Sequence, residues 1–190
     1  MQIATANEGD SRFSISLSCD SQGGDEVVVH FLITFARDVT VGARFKSAVF
    51  EVNFYQYNDA GDSSALCIRD FEPKDQTGET IEVGTVIDAW DSLISLPIPS
   101  TIEQHTAPPL SRIRAASMHP STVRWSFEED EGRAGLERSY EALARIPNRG
   151  ITSITFWAKA ILAHAGPRDV ALKMGSKESP YEKFLDLQDL

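Results

Sequence analysis

Cysteine is nearly absent from this 190-residue chain: only Cys19 and Cys67 occur. Two thiols make no disulfide framework for a chain this long. Both sit in strand-like runs, where a buried free thiol is the expected state and a single bridge between them the alternative. Histidine is almost as scarce. His30, His105, His119 and His164 lie far apart, and none has a second His or Cys at ligand spacing. No phosphate loop, dinucleotide fingerprint or nucleophile elbow is present. No apolar run approaches the ~18 residues that a bilayer-spanning helix needs. The N-terminus, MQIATANEGD, lacks both the basic region and the apolar core of a secretory signal.

Positive charge is also in deficit. There are 18 Lys and Arg against 28 Asp and Glu, a formal net charge of −10. A surface this acidic repels phosphate backbones and anionic headgroups. These absences lead to the expectation of a soluble, cytoplasmic protein with no cofactor, no nucleic-acid partner and no membrane partner. The deficit is uneven. Residues 1–110 hold 6 basic and 17 acidic side chains, and residues 111–190 hold 12 and 11. Arg112, Arg114, Arg124, Arg133, Arg138, Arg145 and Arg149 all lie in the second part. The expected arrangement is dispersal over solvated strand faces.

What the chain does contain is alternation. Side chains on a strand point to opposite faces in turn. Phe45–Tyr57 places Ala48, Phe50, Val52 and Phe54 on one face, and Ser47, Val49, Glu51, Asn53, Tyr55 and Tyr57 on the other. Phe13–Cys19 alternates with serines, and Val123, Trp125 and Phe127 alternate with Arg124 and Ser126. Glu26–Ala36 is apolar on nearly both faces, which predicts a central strand covered on both sides. Its short link to Phe45–Tyr57 predicts that these two strands pair antiparallel. Further strands are predicted at 65–71, 80–87, 151–164 and 170–174. Leu136–Ile146 fits helical and strand spacing alike, and the P-N-R-G turn after it favours strand. Residues 1–11 read as a flexible terminus. The proline-containing stretch 99–121 reads as a long surface loop. With no long helical pattern, residues 12–190 are expected to form one all-β domain, an antiparallel β-sandwich of jelly-roll or immunoglobulin-like kind. A β-barrel is the alternative.

Candidate chemistry is sparse. Glu51 is the carboxylate best placed for acid–base work, because Val49, Asn53 and Tyr55 flank it in a partly apolar setting. His105, His119 and Arg124 complete the candidate catalytic set. Tyr55, Tyr57 and Trp157 share polar strand faces and make a candidate binding surface. Asp59, Asp62, Glu128 and Asp130 are hard oxygen ligands that clustered loops could bring to one Ca²⁺. Ordinary turn chemistry accounts for them equally well, so no metal is expected.

V-R-W-S-F at 123–127, the acidic turn after it, F-W-A-K-A at 156–160 and V-A-L-K-M-G-S-K at 170–177 make the second half resemble uncharacterised β-rich proteins of filamentous fungi. The resemblance implies no activity and carries over no functional residue. The function expected from the sequence is a non-catalytic, intracellular module that binds protein or pairs as a homodimer. The alternative is a small-molecule binder or enzyme with a site at one end of the sandwich.

Overall fold

The computed structural model describes residues 1–21, 25–57, 61–74, 112–129, 135–136, 139–148, 151–164 and 168–186. Twelve strands and no helix occur among them: β1 (Gln2–Glu8), β2 (Ser11–Ser21), β3 (Glu26–Ala36), β4 (Arg44–Tyr57), β5 (Ser63–Ala65), β6 (Asp70–Glu72), β7 (Arg112–His119), β8 (Thr122–Glu128), β9 (Ser139–Pro147), β10 (Ile151–Ala163), β11 (Val170–Met174) and β12 (Tyr181–Asp186). The first sheet runs β1-β2-β3-β9-β6. The second runs β11-β10-β4-β8-β7, with β12 also on β10 and β5 also on β4. The ladders are antiparallel throughout. Both sheets are open, so the architecture is the antiparallel sandwich and not the barrel.

Alternation explains the core. Val29, Phe31, Phe50, Val52, Phe54, Trp125, Phe156 and Leu162 are all buried to within 1% of full coverage. Phe31 of the first sheet lies edge-on to Phe50 of the second, with centroids 5.0 Å apart, and edge-on to Phe54 at 6.4 Å. Trp125 stacks on Phe50 at 5.7 Å. Such ring pairs add to the area that they bury.

The predicted pairing of the two long strands is not what forms. Both edges of β3 are taken, by β2 along Arg12–Ser21 and by β9 along Ser139–Pro147. Both edges of β4 are taken as well, by β10 on one side and by β8 and β5 on the other. The loop after β3 therefore carries the chain across the gap between the sheets, about 10 Å, and the two strands meet face to face. Nor is the outer face of β3 covered: Val28 is buried, but Leu32 is 46% exposed.

Further expectations change. Residues 2–8, read as a flexible terminus, form β1, because Ala4 fits against β2 while Gln2, Thr5 and Asn7 suit a wet edge. Residues 112–119, inside the predicted long loop, form β7. Only Ile113 and Ala115 reach the core there, too few to give a periodic signal. Leu136–Ile146 resolves as strand from Ser139, with Ala142, Ala144 and Ile146 inward. The predicted strand at 80–87 and the rest of the long loop up to residue 111 lie outside the described residues. Cys19 and Cys67 are both free thiols. Cys67 is exposed, against the expectation of burial, because it follows β5 where the chain leaves the sheet.

Two measurements check this packing. Phe50→Ala should cost about 3–5 kcal/mol in urea unfolding, since it removes the ring on which Phe31, Trp125 and Phe156 converge. Desolvation, reinforced by Asp20, pushes the Cys19 thiol up to about 11. The thiolate is the reactive form, so a thiol reagent at pH 8 should label Cys67 in the folded protein and Cys19 only on unfolding.

Candidate functional site

The outer face of the second sheet carries the densest polar chemistry. The register that turns Phe50, Ala158 and Trp125 inward turns their neighbours Glu51, Trp157 and Arg124 outward, side by side on β4, β10 and β8. Glu51 is only 9% exposed. Its Oε1 accepts the Trp157 Nε1–H at 2.9 Å, and its Oε2 accepts Arg124 Nε–H at 2.7 Å together with a second Arg124 donor, Nη2. The Arg124 guanidinium and the Lys177 ammonium lie over the Trp157 ring, 6.0 and 5.7 Å from its centroid.

One end of this face is aromatic. Tyr55 and Tyr57 continue the outward row of β4, and exposed Phe184 of β12 meets the Tyr57 ring at 5.5 Å. Glu182 accepts from Ser153 Oγ at 2.7 Å and from the Tyr57 hydroxyl at 3.3 Å. Partial desolvation first, and the Glu182 carboxylate second, raise the Tyr57 pKa above its ordinary value.

The other end is cationic. Lys159 stands directly opposite Lys173 across the β10–β11 pair, both exposed. Arg114 lies exposed on the same face of β7. Among the described residues none of these three cations has an ion-pair partner. Of the predicted arginines, Arg114 and Arg124 come together here, whereas Arg145 sits on β9 in the other sheet. Arg133, Arg138 and Arg149 lie outside the described residues. The outer face of the first sheet carries charges of both signs, with Arg69 paired to Glu26 and Lys74 to Asp70. His30 there bridges Glu141, at 2.7 Å from Nδ1, and Asp20, at 3.2 Å from Nε2.

Of the predicted catalytic set, the described residues bring together only two. Glu51 and Arg124 are together, but as each other's partners, so both carboxylate oxygens are occupied. His119 is exposed at the end of β7, and among the described residues its ring meets no partner. His105 lies outside them. Of the candidate metal ligands, the two described ones lie apart. Glu128 lies at the Ser47 end of β4 and Asp62 beyond the Tyr57 end, about 33 Å away at strand rise. Asp59 and Asp130 lie outside the described residues, among which no group of three ligand side chains could hold a metal. The binding-surface residues Tyr55, Tyr57 and Trp157 do share one face. The lysines beside them were missed, although counting back from the Gly166-Pro167 break pairs Lys159 with Lys173.

No family model and no curated protein matches this chain. Solved structures similar to it include the Clostridium perfringens NetB toxin in its membrane-inserted form, at TM-score 0.44 and 9% identity, covering 98% of this chain and 95% of that one. A pore-forming protein gives 0.41 and 8% identity over 98% and 90%. Clostridium perfringens delta-toxin gives 0.33 and 10% over 100% and 97%. By name these are two toxins and a pore-forming protein, and the expectation of an intracellular module that binds protein or pairs as a homodimer is withdrawn. At TM-scores below 0.5 the likeness assigns no activity. The exclusion of a membrane partner is withdrawn as well, since the net charge behind it does not describe this face. No helix among the described residues is long and apolar enough to cross a membrane, which says nothing of strands. Self-association is compatible with the open sheets.

The Glu51 node yields a direct test. Glu51→Ala should cost about 2–3 kcal/mol, because it strands Arg124 in a half-buried setting. Glu51→Leu combined with Arg124→Met should recover most of that loss in the same urea titration.

Proposed function

We propose that this protein attaches to anionic lipid surfaces through the outer face of its second sheet. The observation that carries the reading is a cluster of cations on one sheet face. A chain of net charge −10 gathers Arg114, Lys159, Lys173 and Lys177 on one sheet face, with Arg124 neutralised by Glu51 at its centre. Basic clusters are drawn to anionic leaflets, and the attraction fades within a Debye length.

The aromatic end supports a bilayer over a soluble polyanion. Ser153, opposite Phe184, and Lys159 lie six residues apart on β10, about 20 Å. Tyr55, Tyr57, Trp157 and Phe184 are therefore on the same broad face as the cations. Amphipathic rings sit well at the level of lipid headgroups, where one side is apolar and the other wet. A long nucleic acid laid along the face would run off it onto an acidic remainder.

Co-sedimentation with vesicles tests the reading. At low salt the protein should bind phosphatidylserine-containing vesicles and leave phosphatidylcholine vesicles alone. High salt should release it. Arg114→Glu with Lys177→Glu should weaken binding at least about thirtyfold, and Phe184→Ser should weaken it as well. Lys74→Glu, beyond β6 of the other sheet, should not. Binding that ignores both salt and Arg114→Glu/Lys177→Glu would reject the proposal.

A further inference from the structure

We infer that Lys159 and Lys173, with Lys177 beside them, form a seat for a phosphate monoester carried on a lipid headgroup. The inference rests on the docking face proposed above and names the group which that face selects. Lys159 and Lys173 are register partners on the outer side of β10 and β11. Residues opposed in this way hold their β-carbons about 5 Å apart, and like charges so placed repel. Both side chains are exposed, and neither has a carboxylate partner among the described residues.

Most of the described acids on this side of the sheet have other partners or lie away from the lysine pair, Asp169 being held by Lys46. Glu51 is tied to Arg124 and Trp157. Glu182 accepts from Ser153 and Tyr57. Glu128 is two strands away on β8. Glu178 is held by a backbone amide and the Ser176 hydroxyl, which together with Lys177 keep its carboxyl below the usual carboxylate range. The lysine pair is thus left to a ligand from outside.

Lys177 completes the seat through local geometry. The chain leaves β11 at Gly175, whose φ of +64° suits glycine, and a Cβ there would lie 3.1 Å from the Ser179 carbonyl oxygen. The Ser176 amide then donates to that carbonyl at 2.9 Å and closes a tight turn. The turn brings the Lys177 ammonium over the Trp157 ring, two residues before Lys159 on the same face of β10. Two lysines in register and a third over the neighbouring Trp157 ring therefore border one patch of this face. A phosphate monoester brings a charge of about −1.5 to −2 and three acceptor oxygens to such a spot, whereas a diester headgroup brings a single phosphate charge. Lysine suits this role as a point charge.

The test compares phosphatidylcholine vesicles carrying phosphatidylserine with vesicles carrying a phosphatidylinositol monophosphate, matched in total charge. The intact chain should bind the monophosphate vesicles about tenfold more tightly. Lys159→Gln with Lys173→Gln should weaken binding to both vesicle types but to the monophosphate vesicles far more, so that the preference is erased, and Lys159→Arg with Lys173→Arg should keep it. The Gln variant should melt no lower than the parent, because a like-charge pair has gone. Equal binding to the two vesicle types overturns the seat and leaves the docking face standing. A preference that survives the Gln substitutions overturns the assignment to these lysines. Free pyrophosphate bound as tightly as the vesicles overturns the lipid source. Binding to neither vesicle overturns both this inference and the docking face.

Discussion

The contact between Phe31 and Phe50 is the constraint from which the rest follows. It joins the sheets at their centre, and Phe54, Trp125 and Phe156 pack around the same point. Because strand side chains alternate with a period of two, burying these rings decides what faces outward. Phe50, Trp125 and Ala158 inward means Glu51, Arg124 and Trp157 outward and adjacent. A slip of one residue along β4 would expose the rings and bury the ion pair together. The core and the candidate site are one choice of register seen from its two sides.

The same register places the charges. The first sheet turns Asp20 and Glu141 outward around His30. The second turns Lys159, Lys173, Arg114 and Arg124 outward. Net charge averages these faces and conceals both, while an approaching ligand feels the nearer one, since screening removes charges more than about 8–10 Å away. The Glu51–Arg124 pair neutralises the centre of the cationic face and is itself shielded by Trp157. That leaves free cations toward one end and rings toward the other, a division set by which residues of β10 precede and follow Trp157.

Much of the fold was legible because burial in a sandwich leaves a simple record. Phe13–Cys19, Phe45–Tyr57 and Val123–Phe127 each alternate apolar with polar, and each is a strand in the phase that alternation predicts. Less was legible where one face does not dominate. β3 is apolar on both sides of its strand, which suggested cover on both, yet Leu32 is exposed. β1 and β7 bury too few side chains to leave a period. The site was half legible: Tyr55, Tyr57 and Trp157 could be placed on outward faces from spacing alone, and Glu51 and Arg124 could be named, though not as partners.

The sequence by itself determined which side chains turn inward, because that depends only on period two and hydrophobicity within a single strand. It also determined the absence of a disulfide framework and the preference for sheet over helix. Tertiary structure alone decided which strands are neighbours. β3 and β4 are joined by a short loop, yet they lie in different sheets, since each finds both of its hydrogen-bonding partners elsewhere in the chain. Pairing is a contest among all strand edges at once, and no single segment encodes its outcome. For that reason the meeting of Glu51 with Arg124, 73 residues away, and with Trp157, 106 residues away, belongs to the fold and not to any motif.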